Sequence, residues 1–344
     1  MSTPNKINWK WKLPFLLLLI VGSILIIRRD AEAPYQKDSG TVFGTFYHIT
    51  YQSKDNLHEE IEAELAKVDA SLSPFNKESI ISAINNNTNM EVNDMFKLVF
   101  QTAMTISEQT EGDFDITVSP LVNVWGFGFK NDIRPDSTVI DSLKQFIGYE
   151  KVKLVDNQIQ KEDERIMLDC SSIAKGFGVD AVANLLRQKG VQNFMVEIGG
   201  EVVTQGISNR KLPWRIGISK PIDDPMAANQ ETQQILLLNN EAMATSGNYR
   251  NFRIEDGKKY AHTINPHSGY PVDHNLLSAT VIAKDCMTAD GYATAFMVMG
   301  LEKTKQFLQS HPELTVYLIY SDENGENQVF YTPSLEEKFA LEEK

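Results

Sequence analysis

Residues 277–299 read LSATVIAKDCMTADGYATAFMVM, and the secondary structure that the sequence predicts changes in the middle of this stretch. Its first part, residues 277–283, is a short run of β-branched and small apolar residues, which predicts a strand. Residues 288–299 follow as a predicted helix. The fold therefore contains both types of element, joined here by a short connection.

Strands outnumber helices in the rest of the chain. Further helices are predicted at residues 58–71, 79–85, 94–110, 173–188 and 302–309. Further strands are predicted at residues 41–52, 152–155, 158–161, 165–168, 193–205, 214–219, 234–238, 315–319 and 328–331. Because strands often follow one another directly, the pattern favours an α+β fold, with a mixed or antiparallel sheet and packed helices. One domain is expected over residues 41–333, followed by a charged tail at 334–344.

Composition is that of a folded globular protein. Of the 344 residues, 42% are hydrophobic and 23% are charged, which suits a chain with a sizeable core. The formal net charge of -13 would repel a polyanion, so no nucleic acid is expected as a partner. The two cysteines, Cys170 and Cys286, lie far apart, which excludes a CxxC zinc site and a disulfide framework.

The N-terminal sequence has the pattern of an export signal. Residues 13–27 read LPFLLLLIVGSILII, with lysines before the run and Arg28 and Arg29 after it. This pattern predicts a signal peptide or an uncleaved signal anchor over residues 1–30, with a linker at 31–40. A possible cleavage site at 31–33 leaves both alternatives open, and Pro34 tilts the choice towards an anchor. The domain is therefore expected at the inner membrane, on its periplasmic or extracytoplasmic side.

Common nucleotide and hydrolase motifs are absent from the sequence. It has no GxxxxGK[ST] phosphate loop, no HExxH and no GxSxG. Gly199 and Gly200 lack the third glycine and the helix of a dinucleotide fingerprint, so a Rossmann fold is excluded.

Two segments carry carboxylates or cations in suggestive places. In residues 112–128, Asp113 and Asp115 alternate in a strand-like stretch, so both carboxylates could point the same way. The alternative is a hairpin with solvated aspartates. In residues 168–180, Asp169 and Ser172 precede a helix whose free N–H groups and Lys175 would attract a phosphate. The alternative there is a plain N-cap with a solvated lysine.

Two later segments add a histidine and a pair of oxygen ligands. His262 lies in residues 244–269, where turn-forming residues predict loops and therefore binding residues. Asp290 and Thr294 are four residues apart, so they share one face of the predicted helix and offer two hard oxygen ligands. Magnesium prefers such ligands. The alternative is an Asp–Thr pair that caps the helix.

Taken in order, these segments resemble the ApbE family, whose members transfer FMN from FAD to a threonine of a partner protein. The resemblance covers about residues 42–300 and is carried by seven motifs, which are FGT, GDFDITVSPLVNVWGFG, LDCSSIAKG, EIGGE, ATSGNY, HTINPHSG and TADGYAT. It implies an enzyme, a Mg²⁺-dependent FAD:protein FMN transferase that releases AMP. It also implies FAD as substrate and an acceptor redox protein with a threonine-containing flavinylation motif.

The resemblance implies a role for each matching residue. The magnesium ligands are Ser172, Asp290 and Thr294. The FAD-binding residues are Phe43, Phe75, Asp113, Phe114, Asp115, Asp169, Lys175 and Ile264. The catalytic residues are His262, Asp169 and Lys175. His262 is the first candidate for the base that takes the threonine proton, and Asp169 is the second.

Some positions depart from the family pattern, and other functions stay open. Phe43 and Phe75 stand where methionine and tyrosine are usual, Asn265 replaces an aspartate, and His267 with Ser268 replaces an Arg/Lys–Thr pair. The same site could also serve an FAD pyrophosphatase that releases FMN and AMP, with water as the acceptor. A non-catalytic periplasmic flavin-binding protein is a third alternative, although it would need no metal ligands.

Overall fold

An eight-stranded antiparallel sheet forms the centre of the molecule in the computed structural model, which describes residues 14–23, 33–128, 135–222, 231–249, 252–255 and 258–340. The chain's strands are β1 (Tyr35–Val42), β2 (Thr45–Gln52), β3 (Val152–Val155), β4 (Gln158–Lys161), β5 (Phe194–Ile198), β6 (Glu201–Gln205), β7 (Trp214–Ser219), β8 (Thr232–Leu238), β9 (Ala242–Gly247), β10 (Phe252–Glu255), β11 (Lys258–Ala261), β12 (Leu276–Ala283), β13 (Thr315–Ser321) and β14 (Asn327–Tyr331). The large sheet has the order β1-β2-β5-β6-β9-β12-β13-β14, and the pairs β3–β4, β7–β8 and β10–β11 form separate hairpins.

The described residues also form eight helices. They are α1 (residues 14–23), α2 (His58–Leu72), α3 (Ile80–Asn85), α4 (Asp94–Gln109), α5 (Ser119–Val124), α6 (Ser137–Lys144), α7 (Ala174–Gln188) and α8 (Cys286–Leu308), with 3₁₀ turns at Tyr149–Lys151 and Pro333–Lys338. Of these, α7 and α8 pack directly on one face of the large sheet, and α2 and α4 pack on α7 and α8. Gly300, at φ 74 and ψ -179, breaks α8 near its C-terminal end. Within the described ranges, none of these helices has the length and apolar character needed to cross a membrane. Most of the sequence predicted as signal or anchor, residues 1–30, lies outside those ranges.

The core lies between the sheet and its two coverings. On the helical face, Phe96 of α4 and Phe296 of α8 pack with Val281 and Leu318 of the sheet. On the opposite face, strand residues such as Met243, Ile282 and Ile319 are covered by the β7–β8 hairpin. Burial on both faces explains why the central strands read as nearly continuous apolar runs.

The predicted class is confirmed in outline, because a large antiparallel sheet and packed helices form a single mixed fold. The individual helices at residues 58–71, 79–85, 94–110 and 173–188 agree with α2, α3, α4 and α7. The stretch 31–40, expected to be a linker, contains most of β1.

Three strand predictions and one loop prediction need correction. Residues 41–52 and 193–205 are each two strands, because turns at Phe43–Gly44 and Gly199–Gly200 interrupt the runs. Residues 165–168 form no strand. The segment 244–269, predicted as mostly loop, contains part of β9 and the whole β10–β11 hairpin.

Helices α7 and α8 approach each other closely at Gly176. A Cβ atom at this position would lie 2.4 Å from the carbonyl oxygen of Cys286 and 2.8 Å from Cβ of Asp290. One turn further along α7, the carboxylate of Asp180 accepts hydrogen bonds from the backbone N–H groups of Cys286 (3.0 Å) and Met287 (2.8 Å). These N–H groups belong to the first turn of α8 and have no acceptor within their own helix, so Asp180 fixes the start of α8 on α7.

Replacing Gly176 by alanine tests this contact. In an open helix the change would stabilise by about 1 kcal/mol, because alanine is the better helix former. Here the added methyl group has no space, so we expect the free energy of unfolding in urea to fall by about 1–3 kcal/mol. Gly217→Ala is the control, because its Cβ would meet Thr232 at an ordinary 3.5 Å. An equal stability of Gly176→Ala and the parent would contradict the assigned packing.

Candidate active site

A cavity of about 290 Å³ collects nearly all the residues predicted for the site. Those that line it are Phe75, Asp113, Phe114, Asp115, Asp169, Ser172, Lys175, His262, Ile264, Asp290 and Thr294. Phe43 lines a neighbouring cavity of about 230 Å³ instead. The two cavities share Phe75, Ser171 and Lys175, so Phe43 lies in a second lobe of the same depression.

The turn between β1 and β2 places Phe43. Both turn residues have positive φ, 52° at Phe43 and 75° at Gly44, as in the tight turns that suit the twist of a hairpin. The Phe43 ring reaches α7, where a Cβ on Gly178 would lie only 2.6 Å from its Cε2 atom. The absence of a side chain at Gly178 therefore makes room for the ring beside the cavity.

A buried cluster of three charged groups lies beside the cavity. The Lys175 ammonium is 3.1 Å from Oε1 of Glu201, the first residue of β6, and 3.5 Å from Oδ1 of Asp290 on α8. Oδ2 of Asp290 accepts a hydrogen bond of 2.9 Å from the backbone N–H of Gly176. The side chains of Glu201 and Asp290 are almost completely buried, whereas Lys175 is 31% exposed.

Burial dominates the protonation of this cluster. It raises the pKa of Glu201 to about 8 against the opposing effect of Lys175, and it raises the pKa of Asp290 in the same way. Burial also lowers the pKa of Lys175, but the nearby carboxylates of Asp290 and Glu201 outweigh it, and the net pKa is raised. Lys175 therefore carries its charge at neutral pH. When Glu201 and Asp290 are both ionised, the three groups together carry one net negative charge.

One of the predicted metal ligands, Asp290, belongs to this cluster, and the other two are Thr294 and Ser172. Thr294 follows Asp290 by one turn of α8, and its hydroxyl is 3.3 Å from that of Ser246 on β9. Ser172 precedes α7, and all three predicted ligands line the same cavity. No group of three or more His, Cys, Asp or Glu side chains forms a metal centre in the described part of the chain. The predicted ligand set has a single carboxylate and belongs to a different type of site.

Asp113 and Asp115 are buried, which corrects two expectations. Residues 112–118 form turns rather than a strand, and neither carboxylate is solvated. Asp113 pairs with Lys303 at 2.5 Å and with His267 at 3.2 Å. Burial raises the pKa of Asp115 to about 6, although its carboxylate accepts bonds from Thr117 and from the backbone N–H of Tyr149.

Asp169 is tied to the same wall of the cavity. Its backbone N–H donates to the carbonyl of Ile116 at 2.7 Å, and its carboxylate accepts from the N–H of Ser171 at 2.8 Å. The carboxylate therefore holds the turn that leads into α7. It lines the cavity together with Ser172 and Lys175.

His262 directly follows the β10–β11 hairpin, which packs on the turn after α5. The ring of Trp125 stacks on Tyr260 at 6.0 Å, and the guanidinium of Arg253 donates to the Trp125 carbonyl at 3.2 Å. Phe127 meets the His262 ring edge-on at 6.4 Å. The indole N–H of Trp125 donates to the Gly269 carbonyl at 2.8 Å, which holds the other end of the loop.

Sequence reasoning missed the role of Glu201. Glu201 is the last residue of the EIGGE motif, and the sequence alone predicted no function for it. A glutamate directly after a Gly-Gly turn enters the sheet at the start of a strand, and such a buried acid requires a partner. Ser246 was missed as well, because the strand β9 that carries it was predicted as loop.

Comparisons with known proteins agree on one family. The family model described as "ApbE family" matches residues 43–318. A curated protein of Haemophilus influenzae named "FAD:protein FMN transferase" is 38% identical over 89% of this chain and 94% of its own length. A protein of the same name from Escherichia coli K12 is 33% identical over 81% of this chain and 82% of its own length.

Solved structures give the same result. "Flavin Transferase ApbE from Vibrio cholerae" superposes with a TM-score of 0.80 at 34% identity, covering 89% of this chain and 99% of its own. The apo form of the Pseudomonas stutzeri flavinyl transferase ApbE gives a TM-score of 0.79 at 30% identity, covering 90% of this chain and 98% of its own.

Proposed function

This chain belongs to the ApbE family and is a flavin transferase, and we propose that it moves the FMN part of FAD onto a threonine hydroxyl of an acceptor redox protein in a Mg²⁺-dependent reaction. The observation that carries this proposal is the meeting of Lys175, Asp290, Thr294 and His262 in one cavity, although they come from separate segments. The cavity thereby combines a cation, oxygen ligands and a candidate base.

The acceptor hydroxyl oxygen forms a bond to the phosphorus of the FMN half of the pyrophosphate. The bond from this phosphorus to the bridging oxygen breaks, and AMP leaves with that oxygen. The hydroxyl proton passes to a base, for which His262 is the first candidate and Asp169 the second. Lys175 stabilises the negative charge on the phosphate oxygens. FMN remains on the acceptor as a phosphoester.

The residues at the base of the cavity suit a divalent cation. Asp290 and Thr294 offer hard oxygen atoms on one face of α8, and Ser172 would add its carbonyl oxygen. The raised pKa values of Glu201 and Asp290 mean that Lys175 alone does not fully stabilise their charged forms, so an added cation would favour ionisation of both carboxylates. Bound by these residues, Mg²⁺ would supply positive charge for the pyrophosphate and would so make AMP a better leaving group.

Mass spectrometry of an acceptor tests the proposal directly. The protein, FAD and Mg²⁺ are incubated with a threonine-containing domain of a flavinylated redox protein. We expect a mass gain equal to FMN minus water and an equal amount of AMP. EDTA should abolish both products, and Mg²⁺ should restore them. An acceptor variant with alanine for the threonine is the control. Release of free FMN and AMP without acceptor labelling would instead identify an FAD pyrophosphatase.

His262→Ala tests the assignment of the base. Loss of a general base lowers kcat by about 10²–10⁴-fold, and we expect FAD binding to change little. Fluorescence titration with FAD measures binding, and initial rates of acceptor labelling measure kcat. Asp169→Asn is the comparison, because it keeps a side chain that can hold the Ser171 turn. Unchanged turnover of His262→Ala, with loss in Asp169→Asn, would transfer the role to Asp169.

We also propose that the reaction takes place at the inner membrane, on its periplasmic or extracytoplasmic side. The apolar run at 13–27 with flanking basic residues supports this location. Protease added to intact spheroplasts should then digest the domain, while a cytoplasmic marker stays intact. Equal protection of both proteins would reject the location.

A further inference from the structure

Glu201 is almost completely buried at the site, with 2% of its surface exposed. One carboxylate oxygen, Oε1, faces the Lys175 ammonium at 3.1 Å. The other, Oε2, is buried and has no hydrogen-bond partner among the protein atoms. Burying a carboxylate oxygen without a hydrogen bond costs folding free energy. The interaction of the other oxygen with Lys175 is therefore the reason to keep a glutamate at this position.

The turn before Glu201 holds this carboxylate in place. Gly199 has φ 65°, and a Cβ there would lie 2.8 Å from Thr45 and 3.4 Å from Oε2 of Glu201. Glu197 accepts a 2.7 Å hydrogen bond from the backbone N–H of Gly200, which fixes the turn from the other side. Glu201 is therefore the more tightly constrained partner of the ion pair, whereas Lys175 is 31% exposed.

Lys175 has two anionic neighbours, and they differ in their distance from the ammonium group and in their proposed roles. Glu201 is the nearer, at 3.1 Å, and Asp290 is at 3.5 Å. Asp290 is also the carboxylate of the proposed metal site, where an ammonium and a metal ion would compete for the same Oδ1 atom. With Glu201 absent, Asp290 would be the only carboxylate within ion-pair distance of Lys175 among the described residues.

We propose that Glu201 is a positioning residue that holds the Lys175 ammonium at the cavity wall and so leaves Asp290 available to the metal ion. The inference rests on the proposed function, because it takes Asp290 as a Mg²⁺ ligand. Glu201 itself is not among the residues that line either lobe of the cavity. It acts through Lys175, which lines both lobes of the cavity.

Metal binding can be measured without turnover. Mn²⁺, used as the probe, is titrated by calorimetry into the full chain in the presence of FAD and without acceptor. We expect Glu201→Gln to raise the dissociation constant for Mn²⁺ by about ten- to a hundredfold, as loss of a supporting group beside a metal ligand commonly does. Glu201→Asp, which keeps the charge, should recover part of the affinity.

A matched control comes from an ion pair between α2 and the other end of α7. Glu60 pairs with Lys189, at the end of α7, at 2.8 Å on the protein surface. Glu60→Gln removes one carboxylate from an ion pair with α7 but should leave Mn²⁺ affinity unchanged. If Glu201→Gln does not fold, Glu201→Ala takes its place, and parent-like Mn²⁺ affinity in that variant overturns the proposal.

A double-variant cycle separates positioning from a simple effect of charge. Glu201→Gln is also made in a Lys175→Met background, where no ammonium is left to move onto Asp290. We expect the loss of Mn²⁺ affinity to be much smaller there than in the parent. An equal loss in both backgrounds would show that Glu201 acts by charge alone and would overturn the proposal. Absence of Mn²⁺ binding and of FMN transfer in the parent would instead reject the proposed function.

Discussion

The approach of α7 to α8 at Gly176 is the constraint on which the site depends. Because no side chain separates the helices there, the backbone N–H of Gly176 reaches the Asp290 carboxylate at 2.9 Å. Lys175, the preceding residue, is brought within 3.5 Å of the same carboxylate. Asp180 holds the first turn of α8 one helical turn away. A single packing contact thus sets the position of the cation, its partner and the predicted metal ligands.

The same contact explains why the site is assembled from distant parts of the sequence. α7 brings Lys175, α8 brings Asp290, and β6 brings Glu201 from between them in the chain. The large sheet fixes β6 beside β9, which carries Ser246 towards Thr294. Each strand or helix supplies one or two polar groups, and rigid elements hold groups more accurately than loops would.

Local sequence pattern predicted α2, α3, α4 and α7 well, since their apolar spacing and caps are local properties, but it missed the short helices α5 and α6. Asp290 and Thr294 could be placed on one helical face for the same reason. The two merged strand predictions failed because a turn of two residues hardly interrupts a β-rich run. Nothing in FGT requires Phe43 to adopt φ 52°, and only pairing of β1 with β2 makes that turn necessary.

Burial of the polar groups could not be predicted from the sequence, because the partners come from far along the chain. Asp113 is buried by its contact with Lys303, almost two hundred residues later, and Asp115 by the backbone of Tyr149. Glu201 was overlooked for the same reason, since its partner Lys175 belongs to another element. The sequence shows which polar side chains are present. Their burial and their pKa values depend on contacts that only the tertiary structure brings together.

Electrostatics links this arrangement to the proposed substrate. FAD carries two phosphates, yet the chain has a net charge of -13 and the cavity is bordered by buried carboxylates. Lys175 alone does not offset that field, and in the proposed reaction a divalent cation held by the acidic residues would do so. Lys175 lies where the two lobes of the cavity join, which is a suitable place for a group that binds the pyrophosphate link between the two ring systems of FAD. In the proposed reaction, the acidic cluster would therefore favour a metal complex of the dinucleotide over the free anion.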